Sequence, residues 1–155
     1  MGLKTGDKCP SFALFNQNGK EVNSKDLIGQ RILVIYFYPK DDTPGCTKEA
    51  CLFRDSYEKF VELDCEVIGI SSDSIDSHKK FAESYHLSFS LLADTKGKVR
   101  KAFGVPGNLF GLIPGRVTYI IDKKGIVREI HNSLLDPIGH LNKAMETVKK
   151  LQFEA

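Results

Sequence analysis

Arg31-Ile32-Leu33-Val34-Ile35-Tyr36-Phe37-Tyr38 runs directly into Pro39. Seven consecutive apolar residues, Ile32 to Tyr38, many of them β-branched or aromatic, predict a strand covered on both faces. Such a strand belongs in the middle of a mixed α/β sheet. Pro39 ends it, because proline brings no donor to a ladder. The run is far short of the roughly twenty residues a membrane-spanning helix needs.

Downstream, apolar residues recur at Ala50, Phe53, Tyr57, Phe60 and Val61. That spacing predicts a helix from about Pro44 to Leu63. Glu66 to Ser71 reads as the next strand. A helix follows from Ser74 to Tyr85, with Ser74 and Asp76 available near its N-cap. Leu91-Leu92-Ala93 is a short strand, and Val99 to Phe103 a helical turn. Arg116 to Ile121 and Ile126 to Ile130 flank Asp122-Lys123-Lys124-Gly125, a hairpin signal. Pro137 to Leu151 forms a closing helix with proline in its tolerant first turn. Upstream, Phe12-Ala13-Leu14 and Glu21-Val22 flank Asn16-Gln17-Asn18-Gly19, which predicts an N-terminal β-hairpin. Strands joined through helices imply a right-handed parallel core, and the last hairpin adds antiparallel strands. The expected fold is a thioredoxin-like α/β sandwich: a central mixed sheet flanked by helices, with the N-terminal hairpin, in one domain spanning 1–155.

Composition narrows the function. With 41% hydrophobic and 27% charged residues the chain is globular in character, and a net charge of +2 without any basic stripe argues against nucleic acid. The N-terminus lacks an apolar leader, so the expected compartment is cytoplasmic, with a processed plastid form as the alternative. No membrane association is expected. Of the four cysteines, Cys9, Cys46, Cys51 and Cys65, no two are spaced C-x-x-C. A structural zinc site usually shows that spacing, so no metal is expected.

The segment Tyr38-Pro39-Lys40-Asp41-Asp42-Thr43-Pro44-Gly45-Cys46-Thr47-Lys48-Glu49-Ala50-Cys51 carries the chemistry. It places Cys46 just beyond the carboxyl end of the central strand, in the first turn of a helix. Open α/β sheets bind ligands there, and a helix start offers unpaired N–H groups and partial positive charge to an anionic sulfur. Gly45 allows close backbone approach. The polar loop before Cys46 predicts partial exposure of that cysteine.

Pro39-x-x-x-Thr43-x-x-Cys46 resembles the peroxiredoxin active-site signature, and a second cysteine five residues on resembles the peroxiredoxin Q, or bacterioferritin comigratory protein, subgroup. The likeness extends over nearly the whole chain, through Phe37-Tyr38-Pro39, Val67 to Ser71 and Pro114 to Asp122; Phe110 to Arg116 is similar to plant and cyanobacterial members. The resemblance implies a thiol peroxidase acting on hydrogen peroxide and organic hydroperoxides. Cys46 would attack the peroxide and become sulfenic acid. Thr43 would hydrogen-bond the peroxide, Pro39 shield the site, and Arg116 hold sulfur and peroxide by charge-assisted bonds. Cys51 would close a disulfide with Cys46, reduced by thioredoxin or a similar dithiol protein. The implied enzyme needs no cofactor and is a monomer.

Other residues read as structural. Cys9 and Cys65 are expected in packing roles, and His78 and His86 in surface or capping roles. His131 and His140 lack a nucleophile nearby in sequence. Glu49 is evenly divided between orienting a neighbour and simply sitting in a first turn, and stays outside the catalytic set. A mobile loop around Gly104 to Gly115 is expected to rim the site. A thioredoxin-type dithiol oxidoreductase is the first rival, but that chemistry favours C-x-x-C, and Val117 precedes Thr118 where thioredoxins carry proline. A non-enzymatic redox sensor or chaperone-like binding protein is the second. Neither rival explains Thr43 and Arg116 together.

Overall fold

A computed structural model describes residues 2–108 and 113–154; the side chains of 107, 108, 113 and 114 also lie outside that description. Strands β1 (Ala13–Phe15) and β2 (Glu21–Asn23) form the expected N-terminal hairpin. The Asn16 side chain closes it by accepting from the Asn18 and Lys20 amides, and Gly19 takes the left-handed conformation the turn needs (φ 72°). After a short 3-10 turn come β3 (Ile32–Phe37), α1 (Pro44–Glu62), β4 (Cys65–Ser71), α2 (Ile75–Tyr85), β5 (Ser90–Ala93) and α3 (Lys98–Phe103). Two short antiparallel segments, β6 (Gly107–Asn108) and β7 (Ile113–Pro114), precede β8 (Val117–Ile121), β9 (Val127–Asn132) and α4 (Pro137–Glu154).

The main sheet has the order β5-β4-β3-β8-β9. β3 and β4 run parallel, as do β4 and β5, while β8 is antiparallel to both β3 and β9. The apolar run Ile32 to Phe37 is thus the central strand, and all six of its residues are buried. Alternation divides its side chains between two cores. Ile32, Val34 and Tyr36 face α1, α2 and α4, meeting Phe53, Phe60, Phe81, Ala144 and Val148. Leu33, Ile35 and Phe37 face the N-terminal hairpin and α3, meeting Phe12, Val99, Phe103 and Tyr119. Each fully buried large apolar side chain contributes about 1.5–3 kcal/mol relative to exposure. Gly69 in β4 is required by close approach: a Cβ there would lie 2.9 Å from the Tyr36 ring.

Helix ends follow their local chemistry. Ser74 caps α2 by accepting from the Ser77 amide, and His86 closes that helix in the left-handed conformation (φ 54°), a true capping role. No helix among the described residues is long and apolar enough to cross a membrane.

Candidate active site

The central strand delivers the chain through the Pro39–Thr43 loop to the start of α1. Thr43 is the N-cap residue, with extended backbone and no side-chain cap. Its hydroxyl instead donates to the Lys40 carbonyl at 2.9 Å, tightening the loop. Pro44 occupies the first helical position, so Gly45 and Cys46 present the first-turn N–H groups that have no intrahelical acceptor.

Cys46 is 1% exposed, contrary to the partial exposure expected from its polar loop. The cover comes from a distant part of the chain: Arg116, just ahead of β8, lies over the sulfur and is itself only 4% exposed. Its Nη2 donates to Cys46 Sγ at 3.3 Å, its Nη1 to Glu49 Oε1 at 2.6 Å, and its Nε to the Leu134 carbonyl at 2.9 Å. One planar cation therefore ties the Cys46 sulfur to a carboxylate one turn further along α1 and to the loop after β9. Gly45 is needed here, since a Cβ on it would lie 3.0 Å from Arg116 Nη2.

Glu49 has no exposed surface, and its Oε2 finds no hydrogen-bond partner among the described residues. Burial pushes its carboxyl up to about 7, with Arg116 pulling the other way. Burial opposes the Arg116 charge, but Glu49 and Cys46 outweigh it, and the guanidinium stays protonated. Behind Glu49 lies His140 of α4, fully buried, with Nδ1 3.7 Å from Glu49 Oε2. His140 Nε2 is 2.6 Å from the Ser133 carbonyl, which can only accept, so Nε2 carries hydrogen and Nδ1 accepts from the Thr118 hydroxyl at 2.7 Å. Burial lowers His140 to about 4, keeping it neutral.

Cys51 is half-buried on the same uninterrupted helix, and all four cysteines are free thiols. Cys9 and Cys65 belong to packing: burial pushes the Cys9 thiol up to about 12 and raises Cys65 further still. Pro39 is half-buried at the head of the loop. The structure brings Cys46 and Arg116 into contact and leaves Thr43 at the adjacent N-cap. His78 departs from its expected surface or capping role; it is wholly buried and packed against Asp41 of the Pro39–Thr43 loop. Glu49 is the residue sequence reasoning undervalued. Its position three residues after Cys46, inside the buried stripe of α1 with Ala50 and Phe53, was the available signal, because a carboxylate in such a stripe requires a partner. Most of the stretch Phe110 to Pro114, expected to rim the site and set pocket width, lies outside the described residues.

A thiol buried at a helix start under a guanidinium, on a thioredoxin-like sheet, defines the class of thiol-dependent oxidoreductases. The AhpC/TSA family model matches residues 5–130, and the chain belongs to that family. It is 52% identical over 150 residues to the chloroplastic peroxiredoxin Q of Populus jackii, covering 97% of this chain and 68% of that protein. It is also 52% identical over 147 residues to the chloroplastic peroxiredoxin Q of Arabidopsis thaliana, covering 95% and 68%. Peroxidoxin BcpB of Mycobacterium tuberculosis superposes with a TM-score of 0.88 at 37% identity, over 96% of this chain and 97% of that one. The bacterioferritin comigratory protein of Xanthomonas campestris, described for its alkyl peroxide reduction activity, superposes with a TM-score of 0.82 at 28% identity, over 91% and 92%.

Proposed function

We propose that this protein is a thiol peroxidase that reduces hydrogen peroxide and organic hydroperoxides through Cys46. The observation that carries the reading is the Arg116 Nη2 to Cys46 Sγ contact of 3.3 Å at the start of α1. As thiolate, Cys46 attacks the terminal oxygen of ROOH. The O–O bond breaks, the sulfur is oxidised to sulfenic acid, and the departing alkoxide takes up a proton to leave as ROH. Arg116 stabilises the charge that moves from sulfur to leaving oxygen. Thr43 turns its hydroxyl from the Lys40 carbonyl to the bound peroxide, and Pro39 shields the sulfenic acid from water.

Cys51 then attacks the Cys46 sulfur, forming the S–S bond and releasing water. A dithiol protein such as thioredoxin returns both thiols and leaves oxidised itself. The enzyme works as a monomer and as one domain across 1–155, without membrane or nucleic acid. Its chloroplastic relatives favour the plastid alternative over a cytoplasmic site.

The test is peroxide consumption with thioredoxin and its reductase, together with the mass of the trapped cysteine. Wild type should turn over, Cys51→Ser should stop after one equivalent as sulfenic acid, and Cys46→Ser should be inert. Turnover by Cys46→Ser above a few per cent of wild type would move the nucleophile elsewhere.

A further inference from the structure

The Pro39–Thr43 loop is held by an element the reaction scheme does not use. Its midpoint, Asp41, is buried between β3 and α2. Tyr38 Oη donates to Asp41 Oδ1 at 2.6 Å, Ser77 Oγ donates to Oδ2 at 2.8 Å, and the Asp41 amide donates to Asp73 Oδ2 at 2.8 Å. His78 Nδ1 lies 2.7 Å from Asp41 Oδ2, and His78 Nε2 lies 3.0 Å from the Leu92 carbonyl of β5.

The donor roles decide what this cluster holds. A carbonyl oxygen can only accept, so Nε2 carries hydrogen. Two lone pairs do not face each other at 2.7 Å, so a second proton must lie between Nδ1 and Oδ2. The buried pair thus carries one proton more than a neutral imidazole beside a carboxylate. Tyr38, Ser71, Asp73 and Ser77 face it, and Lys40, Asp42, Asp76 and Lys80 line the cavity outside. The neighbouring Asp42 sits at φ 58°, a conformation non-glycine residues seldom adopt without support, and its carboxylate accepts from Tyr85 Oη of α2 at 3.2 Å. The helix α2 therefore holds the loop at two consecutive residues.

We propose that Asp41 and His78 are positioning residues that form a proton-dependent latch on the active-site loop. With the shared proton bound, the latch keeps Pro39, Thr43 and the first turn of α1 in the arrangement that presents Cys46 to peroxide. When the proton leaves, a carboxylate faces a ring lone pair in a buried site, the contact turns repulsive, and the first turn is released for closure of Cys46 onto Cys51. The latch is present at low pH and lost as pH rises. Its loss slows oxidation of Cys46 and speeds disulfide closure, two opposite effects from one contact. This inference rests on the peroxidase reading for its consequences, though not for its geometry.

Asp41→Asn separates proton from contact. An asparagine Nδ2 donates to the bare Nδ1 of a neutral His78, keeping the bond without a titration, whereas Asp41→Ala has no bond at any pH. The chain has no tryptophan, so closure is followed by rapid quench, thiol alkylation and intact mass, between about pH 6 and 9. Ratios of variant to wild-type closure rate cancel the titration of Cys51 itself. The Asp41→Ala ratio should be roughly tenfold at the acid end and shrink towards one at the alkaline end. The Asp41→Asn ratio should start near one and fall by a similar factor. Nitrogen-15 spectra of reduced protein at the acid end should show both His78 ring nitrogens protonated. Ratios independent of pH in both variants, or a bare ring nitrogen at the acid end, overturn the latch. If peroxide oxidises no cysteine at all, the peroxidase reading fails instead. Amide exchange at 44–51 in the reduced protein then still reads the latch: protection lost in Asp41→Ala and kept in Asp41→Asn supports it, and equal protection in both overturns it.

Discussion

Glu49 Oε1 and Arg116 Nη1 meet at 2.6 Å inside the protein, and the same guanidinium reaches the Cys46 sulfur with its other amino group. The carboxylate therefore sets the angle at which the cation faces the Cys46 sulfur. It also makes the cation necessary to the fold, because a buried carboxylate without a partner is costly.

Replacing Arg116 by methionine should consequently act twice. The second-order rate of Cys46 oxidation should fall by about 10²-fold, the effect of losing one transition-state donor. Above about pH 7, where Glu49 is ionised in the wild type, stability should fall by about 3 kcal/mol, since its carboxylate is left unpaired. Adding Glu49→Gln should restore much of the stability and none of the rate. Stopped-quench kinetics with denaturant melts separate the two effects, and a rate within threefold of wild type would assign Arg116 to structure alone.

Gly45→Ala probes the same geometry without touching a charge. The new methyl group would meet Arg116 Nη2 at 3.0 Å, tighter than ordinary contact, and the flexible side chain yields rather than the backbone. The guanidinium should be displaced from the sulfur by a few tenths of an ångström. Peroxide reactivity should drop about tenfold, a loss of roughly 1.4 kcal/mol in barrier, while the melting temperature stays close to wild type. Unchanged reactivity would show that the bond tolerates displacement.

Two buried groups make opposing contributions to stability as pH changes. Glu49 is raised to about 7, so its contribution is fully present below its unfolded value and is lost as pH rises through about 7. His140 is lowered to about 4, so its contribution is present above its unfolded value and is lost as pH falls towards about 4. Between the two the slopes offset, and the wild type should vary little from these groups. Glu49→Gln should therefore gain stability as pH rises through this window, and His140→Gln should lose it, each by an amount of order 3 kcal/mol. Parallel slopes in both variants would contradict the assignment.

The geometry of α1 forbids a direct Cys46–Cys51 bond. Five helical steps rotate about 500° and rise about 7.5 Å, which puts the Cα atoms roughly 8.6 Å apart. A disulfide needs them within about 6.8 Å. Closing the proposed Cys46–Cys51 disulfide therefore requires the first turns of α1 to unwind. Arg54 should mark the limit, because its Nη1 donates to the Tyr85 carbonyl at 2.8 Å and ties the next turn to α2. Amide exchange should accelerate from about Thr47 to Phe53 on oxidation, with some loss of helical circular dichroism. Equal protection in both redox states would sink the unwinding.

Local pattern carried most of the fold. The run Ile32 to Tyr38 announced a doubly covered central strand, and the stripe Ala50, Phe53, Tyr57 and Phe60 announced α1, because burial imposes its period on neighbouring residues. The same locality placed Cys46 in a helix's first turn and marked Pro39, Thr43 and Cys51 around it. What covers Cys46 was not legible. Arg116 lies 70 residues away, and a polar loop next to a cysteine looks exposed until β8 is laid antiparallel against β3. Asp41 and His78, 37 residues apart, looked like a loop acid and a surface or capping histidine. Glu49 was evenly balanced between orienting a neighbour and sitting in a first turn until α4 and Arg116 closed over it. Sequence determined which side chains point inward along each element, since that follows from backbone period. Only the tertiary structure decided which buried charges face one another, because those pairings depend on how distant elements stack and on the desolvation that stacking imposes.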